Sequence, residues 1–253
     1  MTADSASAAV NKVAKVTLAF WVMKICATTV GETGGDLLSM TMNIGYAASS
    51  ILLLSIFLIT LILQLRAKRF HPALYWAVIL STSTAGTTMS DYMDRSLGLG
   101  YATGSLILVG ILVGVLLTWR ACTGSIAVNA ITDRRTEIFY WMAILASNTL
   151  GTALGDYLAD SSGLGFAVSN LLISSGIALA IAGYYFTRIS RTALFWAAFV
   201  LTRPFGATMG DLLTKSPEQG GLDFGAIGST AVLMTILIGL IVATSRRGDR
   251  PAA

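Results

Sequence analysis

Four stretches of this chain, residues 44–65, 101–119, 166–186 and 224–243, run without a single charge. Each is about 20 residues long, the length an α-helix needs to cross a bilayer. Inside lipid every backbone N–H and C=O must be satisfied within the segment, so a helix is the conformation expected for each. Between them lie apolar segments of similar length that do carry charges, at 13–38, 74–93, 139–158 and 194–213. Eight transmembrane helices are therefore predicted, and the fold class is an all-α integral membrane protein. The composition is 55% hydrophobic and 12% charged, with a mean hydropathy of +0.73; soluble domains carry about a quarter of their residues charged. The first ten residues lack the basic, apolar and cleavage-site pattern of a secretory leader, so the first helix is expected to be retained. Cys26 and Cys122 suggest neither a ligand pair nor a disulfide framework. The longest connector, Arg120 to Glu137, leaves no room for a soluble domain, so residues 1–253 read as one transmembrane domain.

The formal charge of +4 and a pI near 9.2 invite a nucleic-acid reading, but the distribution of the bases excludes it. Thirteen of the seventeen basic residues, from Lys12 and Lys15 through Arg66, Arg120 and Arg188 to Arg250, fall at one set of alternate span ends. The opposite ends hold only Arg95 and Lys215. Such an asymmetry orients a membrane protein, here with both termini in the cytoplasm.

Aligned, the charged segments repeat. Trp21, Trp76, Trp141 and Trp196 each precede Asp36, Asp91, Asp156 and Asp211 by 15 residues. Gly31, Gly86, Gly151 and Gly206 stand five residues before the same aspartates. Gly45-Tyr46, Gly100-Tyr101 and Gly165-Phe166 open the following helix; the fourth copy departs with Asp223-Phe224 and a three-residue insertion around Pro217. The chain is thus four tandem two-helix repeats, about 13–66, 72–120, 137–188 and 192–245.

The segments GETGGDLL, GTTMSDYM, GTALGDYL and GATMGDLL resemble a bacterial family of multi-pass membrane proteins known as a repeat of unknown function. That resemblance implies a bacterial inner (cell) membrane and no particular activity. Glu32-Thr33-Gly34-Gly35-Asp36 is also similar to the Glu-x-Gly-Asp signature of the membrane manganese and calcium exchangers. The spacing differs by one residue, and the Lys-Ser/Thr that follows in those exchangers is missing.

Residues four apart share a helix face. The four Asp-bearing helices then read Lys24-Thr28-Glu32-Asp36, Ile79-Ser83-Thr87-Asp91, Ile144-Asn148-Thr152-Asp156 and Phe199-Arg203-Ala207-Asp211. Such stripes avoid lipid, so the odd-numbered helices are expected inside and the even-numbered ones outside. The glycines read as close-packing positions, and the Trp and Tyr residues as an interfacial belt. Asp94, Asp160, Glu218 and Asp223 read as solvated loop acids.

Within the spans five acids, Glu32, Asp36, Asp91, Asp156 and Asp211, face two bases, Lys24 and Arg203. Two carboxylates one turn apart, Glu32 and Asp36, must be protonated, paired or cation-bound. The donors, with Thr28, Thr87, Asn148 and Thr152, are all oxygen, which suits a hard divalent ion such as manganese, with Glu32 and Asp36 as metal ligands. The expected function is a transporter or channel for a small cation, coupled to carboxylate protonation, with Lys24 and Arg203 as counter-charges. No cofactor beyond such a cation is expected; the partners are the bilayer and that ion, and homo-oligomerisation stays open. The alternative is transport of a small anionic solute held by Lys24 and Arg203, or a non-transport role in cofactor handling or assembly. An enzyme is not expected: the one histidine, His71, lies in a loop, and no metalloprotease helix is present.

Overall fold

A computed structural model describes residues 12–128 and 131–248. The first ten residues and Arg250 lie outside the described residues. Within them there are eight long helices and no strand: α1 (Leu18–Asp36), α2 (Tyr46–Arg66), α3 (Pro72–Asp91), α4 (Tyr101–Thr123), α5 (Arg134–Asp156), α6 (Gly165–Phe186), α7 (Arg191–Thr214) and α8 (Ala226–Gly248). Local chemistry sets the starts. The Thr17 hydroxyl accepts from the Phe20 N–H at 3.3 Å, Asp133 from the Thr136 N–H at 2.9 Å, and Ser190 from the Ala193 N–H at 3.4 Å. Pro72 opens α3, where its missing N–H costs nothing.

The same break follows the aspartate in three repeats. α1, α3 and α5 each end on it and run on through a five-residue π-helical segment: Leu37–Thr41, Tyr92–Ser96 and Tyr157–Ser161. A glycine at positive φ then turns the chain into the next helix, at Gly45 (83°), Gly100 (71°) and Gly165 (73°). Gly225 (75°) does this in the fourth repeat, where α7 instead ends at Thr214 and a short 3₁₀ turn, Pro217–Gln219, follows. The fourth copy therefore departs in its loop and not in this turn.

α1 packs on α3 and α7, and α5 packs on the same two helices. α2 lies against α3, α4 against α5, α6 against α7, and α8 against α1. Glycine dictates how close the first set comes. A Cβ at Gly31 would strike Ser83, one at Gly86 the backbone of Asn148 and Thr149, one at Gly151 Arg203, and one at Gly206 Thr28. Those four targets, Thr28, Ser83, Asn148 and Arg203, occupy equivalent positions in the four repeats. Each repeat's glycine therefore seats the next repeat's side chain, and the last closes on the first.

The remaining helices present large apolar side chains outward: Ile51 is 70% exposed, Leu106 73%, Leu179 72% and Ile227 67%. Among the described residues five helices are long and apolar enough to cross a membrane: α2, α4, α6, α8, and α5 with its extension to Ser161.

Candidate functional site: a charged interior between four helices

Four layers of equivalent side chains climb the Asp-bearing helices. Nearest the Trp end are Lys24, Ile79, Ile144 and Phe199, all fully buried. The Lys24 ammonium sits 4.3 Å from the Phe199 ring centroid and donates to Asn148 Oδ1 at 3.2 Å. Asn148 Nδ2 in turn donates to Thr82 Oγ1 at 2.8 Å. Among the described residues Lys24 has no carboxylate partner.

In the next two layers one side chain ties the helices together. Arg203, fully buried on α7, donates to Glu32 Oε2 on α1 at 2.9 Å. It also donates to Thr152 Oγ1 on α5 at 2.7 Å, and to Thr87 Oγ1 (2.5 Å) and the Ser83 carbonyl (3.4 Å) on α3. Thr87 and Thr152 further donate to Glu32 Oε2 at 3.3 and 3.2 Å. Ala207, the fourth member of the Glu32 layer, lies one turn past Arg203 and brings no competing polar group. The physical demand is plain: a guanidinium and a carboxylate away from water need each other and further hydrogen bonds besides. The Thr28 hydroxyl takes another direction. It donates to the Thr202 carbonyl at 3.1 Å and to the Ile25 carbonyl at 2.9 Å, at the α1–α7 crossing.

The four aspartates are all buried, at 2–6% exposure. They are held in two pairs by the two bases that charge distribution had assigned only to the sparse end of the molecule. Arg95 Nε lies 3.1 Å from Asp91 and Arg95 Nη2 3.3 Å from Asp156. Lys215 Nζ lies 2.8 Å from Asp36 and 3.3 Å from Asp211. A sequence signal for both existed: each base stands four residues after the aspartate of its own repeat, in repeats two and four. Met40 and Asp160 fill that place in repeats one and three. Carboxylate oxygens of Glu32, Asp36 and Asp211 come within 4.8 Å of one another, so Asp211 joins the pair singled out as metal ligands. Asp36 and Lys215 also line a cleft of about 190 Å³ with Met40, Thr214 and Gln219.

Matches to a family model cover residues 19–70, 74–124, 139–190 and 194–249. The chain belongs to the Repeat of Unknown Function (DUF347) family. All four matched units are the hairpins that the Trp and Asp positions delimit, so the family unit is one Asp-bearing helix with its companion. No curated protein and no solved structure matches this chain.

Two further sequence readings differ from the structure. Asp94 is buried, not solvated: Ser90 Oγ donates to it at 3.3 Å, and its other oxygen lies against Gly104, where a Cβ would collide. The π-helical turn after Asp91 swings it under α4. The aromatic residues are not a belt either. Trp76, Trp141 and Trp196 are buried, and the Tyr75 and Tyr140 hydroxyls meet at 2.6 Å. Ring contacts such as Phe20–Trp76 (5.8 Å), Tyr75–Trp141 (5.5 Å) and Trp21–Phe195 (5.7 Å) join successive helices. Glycine spacing brings the helices close along their length, and large rings fill the space between them at the Trp end.

Proposed function

We propose that this protein moves a small hard cation across a membrane at the carboxylate end of its four Asp-bearing helices. One observation carries the reading: Glu32 and the four repeat aspartates, five buried carboxylates, are met by three bases, Arg203, Arg95 and Lys215, an excess of two negative charges in that set. Desolvated carboxylates in excess take up protons or a cation. The ligand atoms on offer are oxygens, which favour manganese, calcium or magnesium over softer metals. Cation release by protonation of the same carboxylates is the coupling this composition supports.

In this reading all eight helices span the bilayer. The Asp-bearing helices stand inside, α2, α4, α6 and α8 face acyl chains, and the Asp end points outward. Both termini are cytoplasmic, in a bacterial inner membrane, and no enzymatic step is assigned. The likeness of Glu32 to Asp36 to the exchanger signature supports the same substrate class.

Uptake of manganese into proteoliposomes tests the proposal. Glu32→Gln preserves size and hydrogen bonding but removes one charge-assisted ligand contact of about 1.5–3 kcal/mol, so uptake should fall roughly tenfold or more. Asp91→Asn, with no second acid one turn deeper, should reduce it less. Wild-type uptake by Glu32→Gln would rule the cation reading out. Lys24 favours a second reading, because it is fully buried with no carboxylate partner among the described residues and could hold an anionic solute with Arg203. Loss of uptake of an organic anion in Lys24→Met, with manganese uptake absent throughout, selects that reading.

A further inference from the structure

At the end of the molecule away from the aspartates, a second buried ion pair plays no part in the proposed cation site. Glu137, in the first turn of α5, is fully buried and pairs with the ammonium of Lys12. Its other oxygen accepts from Gln64 Nε2, at the end of α2, at 3.1 Å. Gln64 also donates to the Lys12 carbonyl at 3.2 Å, and the Lys12 N–H donates to the Ile131 carbonyl at 3.1 Å. Lys12 and Val13 are buried, and Thr17 caps α1.

The route of this segment matters. α1 and α5 are not close partners; each packs instead on α3 and α7. Residues 12–17 therefore join the start of α1 to the first turn of the helix diagonal to it. They do so at the end where Tyr75, Trp76, Tyr140 and Trp141 fill the interior. An ordinary anchor needs no charge, since apolar side chains of similar size hold at least as well as a buried ion pair. A charged anchor behaves differently. It can come apart without leaving a stranded charge only when water reaches both groups, so its two stable conditions are dry and closed or wet and open.

We propose that residues 12–17 form a strap that gates the Trp end, latched by Lys12, Gln64 and Glu137. Calling it a gate rests on the transport reading, but the strap's opening can be read without transport. The probe is Ile79→Cys, made with Cys26→Ser and Cys122→Ser. Ile79 is fully buried and lies one turn beyond Tyr75. A small cationic thiosulfonate reagent is applied to sealed vesicles from the Trp-end side and, separately, from the Asp-end side.

Glu137→Gln and Lys12→Met should each speed labelling from the Trp-end side by roughly tenfold or more, because the closed state loses its latch. Gln64→Leu keeps the ion pair and should give a smaller rise, roughly threefold. The reversed pair, Lys12→Glu with Glu137→Lys, should return the rate to that of the parent. Unchanged labelling in Glu137→Gln and Gln64→Leu overturns the proposal. So does a rise of equal size from both sides, which is loosened packing and not an opening. If the ion-pair variants fail to fold, Gln64→Leu at the parent rate is enough to overturn it. Manganese uptake in the same vesicles separates the two ideas: a strap that opens in a protein moving no cation defeats the cation-transport reading and leaves the latched opening of residues 12–17 standing.

Discussion

The two aspartate pairs occupy equivalent places and are built differently. At Asp91 and Asp156 the shared base is an arginine, which also donates to the Tyr46 hydroxyl at 3.2 Å and lies between the Tyr46 and Tyr101 rings, 5.8 and 5.6 Å away. At Asp36 and Asp211 it is a lysine on the loop after α7, beside a cleft, with the third carboxylate of Glu32 close by. A guanidinium fixed by several directed bonds is a strut. An ammonium on a flexible stem is a point charge that other cations can replace. The scaffold and its aspartate repeat four times, yet the base that pairs with it occurs only twice, and the third carboxylate, Glu32, once. The asymmetry is thus carried by few side chains on a regular frame.

The largest expected effect separates the two pairs through Glu32. Arg203→Met leaves that carboxylate buried and unpaired and should destabilise the purified protein by about 3–5 kcal/mol. Adding Glu32→Gln should recover much of the loss. Thermal unfolding in detergent reads both, and a loss no larger than that of Arg95→Met would erase the distinction drawn here.

Next in size, the two bases should differ from each other. Arg95→Met removes several charge-assisted bonds and should cost about 2–3 kcal/mol, against about 1–2 kcal/mol for Lys215→Met. The same unfolding measurement decides, and the reverse order would make lysine the strut.

A third test asks whether the frame is as regular as the charges are not. Gly86→Ala, at the α3–α5 crossing, and Gly206→Ala, at α7–α1, both push a Cβ onto a neighbouring backbone. Each should cost about 1–3 kcal/mol, and the two should agree closely. A large difference would show that one crossing is looser than the other.

The smallest effect concerns Asp160, which fills in repeat three the place that Arg95 and Lys215 hold in theirs. It is exposed, so Asp160→Asn should change stability by less than about 0.5 kcal/mol. A greater change would mean that this position matters in every repeat.

Much of the site was legible because helical spacing alone stacks residues four apart. The layers of Glu32, Asp36 and their counterparts could be written down from the chain. The roles of Arg95 and Lys215 could not, although their spacing from Asp91 and Asp211 was visible. Each also serves an aspartate of another repeat, and that contact depends on which helices adjoin. Asp94 was misread because a π-helical turn shifts the face its side chain presents. Thr28 was grouped with the ligands on spacing, whereas its hydroxyl is spent at a helix crossing.

The sequence by itself determined the four repeats, the helices, and the positions of Lys24, Glu32, Arg203 and the four repeat aspartates along them. These follow from local rules: uninterrupted apolar runs, a capping side chain, a glycine at positive φ, a period of 3.6. Only the tertiary structure decided which charges meet. Ion pairs such as Arg203 with Glu32, Lys215 with Asp36 and Lys12 with Glu137 join residues 171, 179 and 125 apart. A charge buried away from water takes whichever opposite charge the packing brings within reach, and that packing was set by where glycine lets one helix lie against the next.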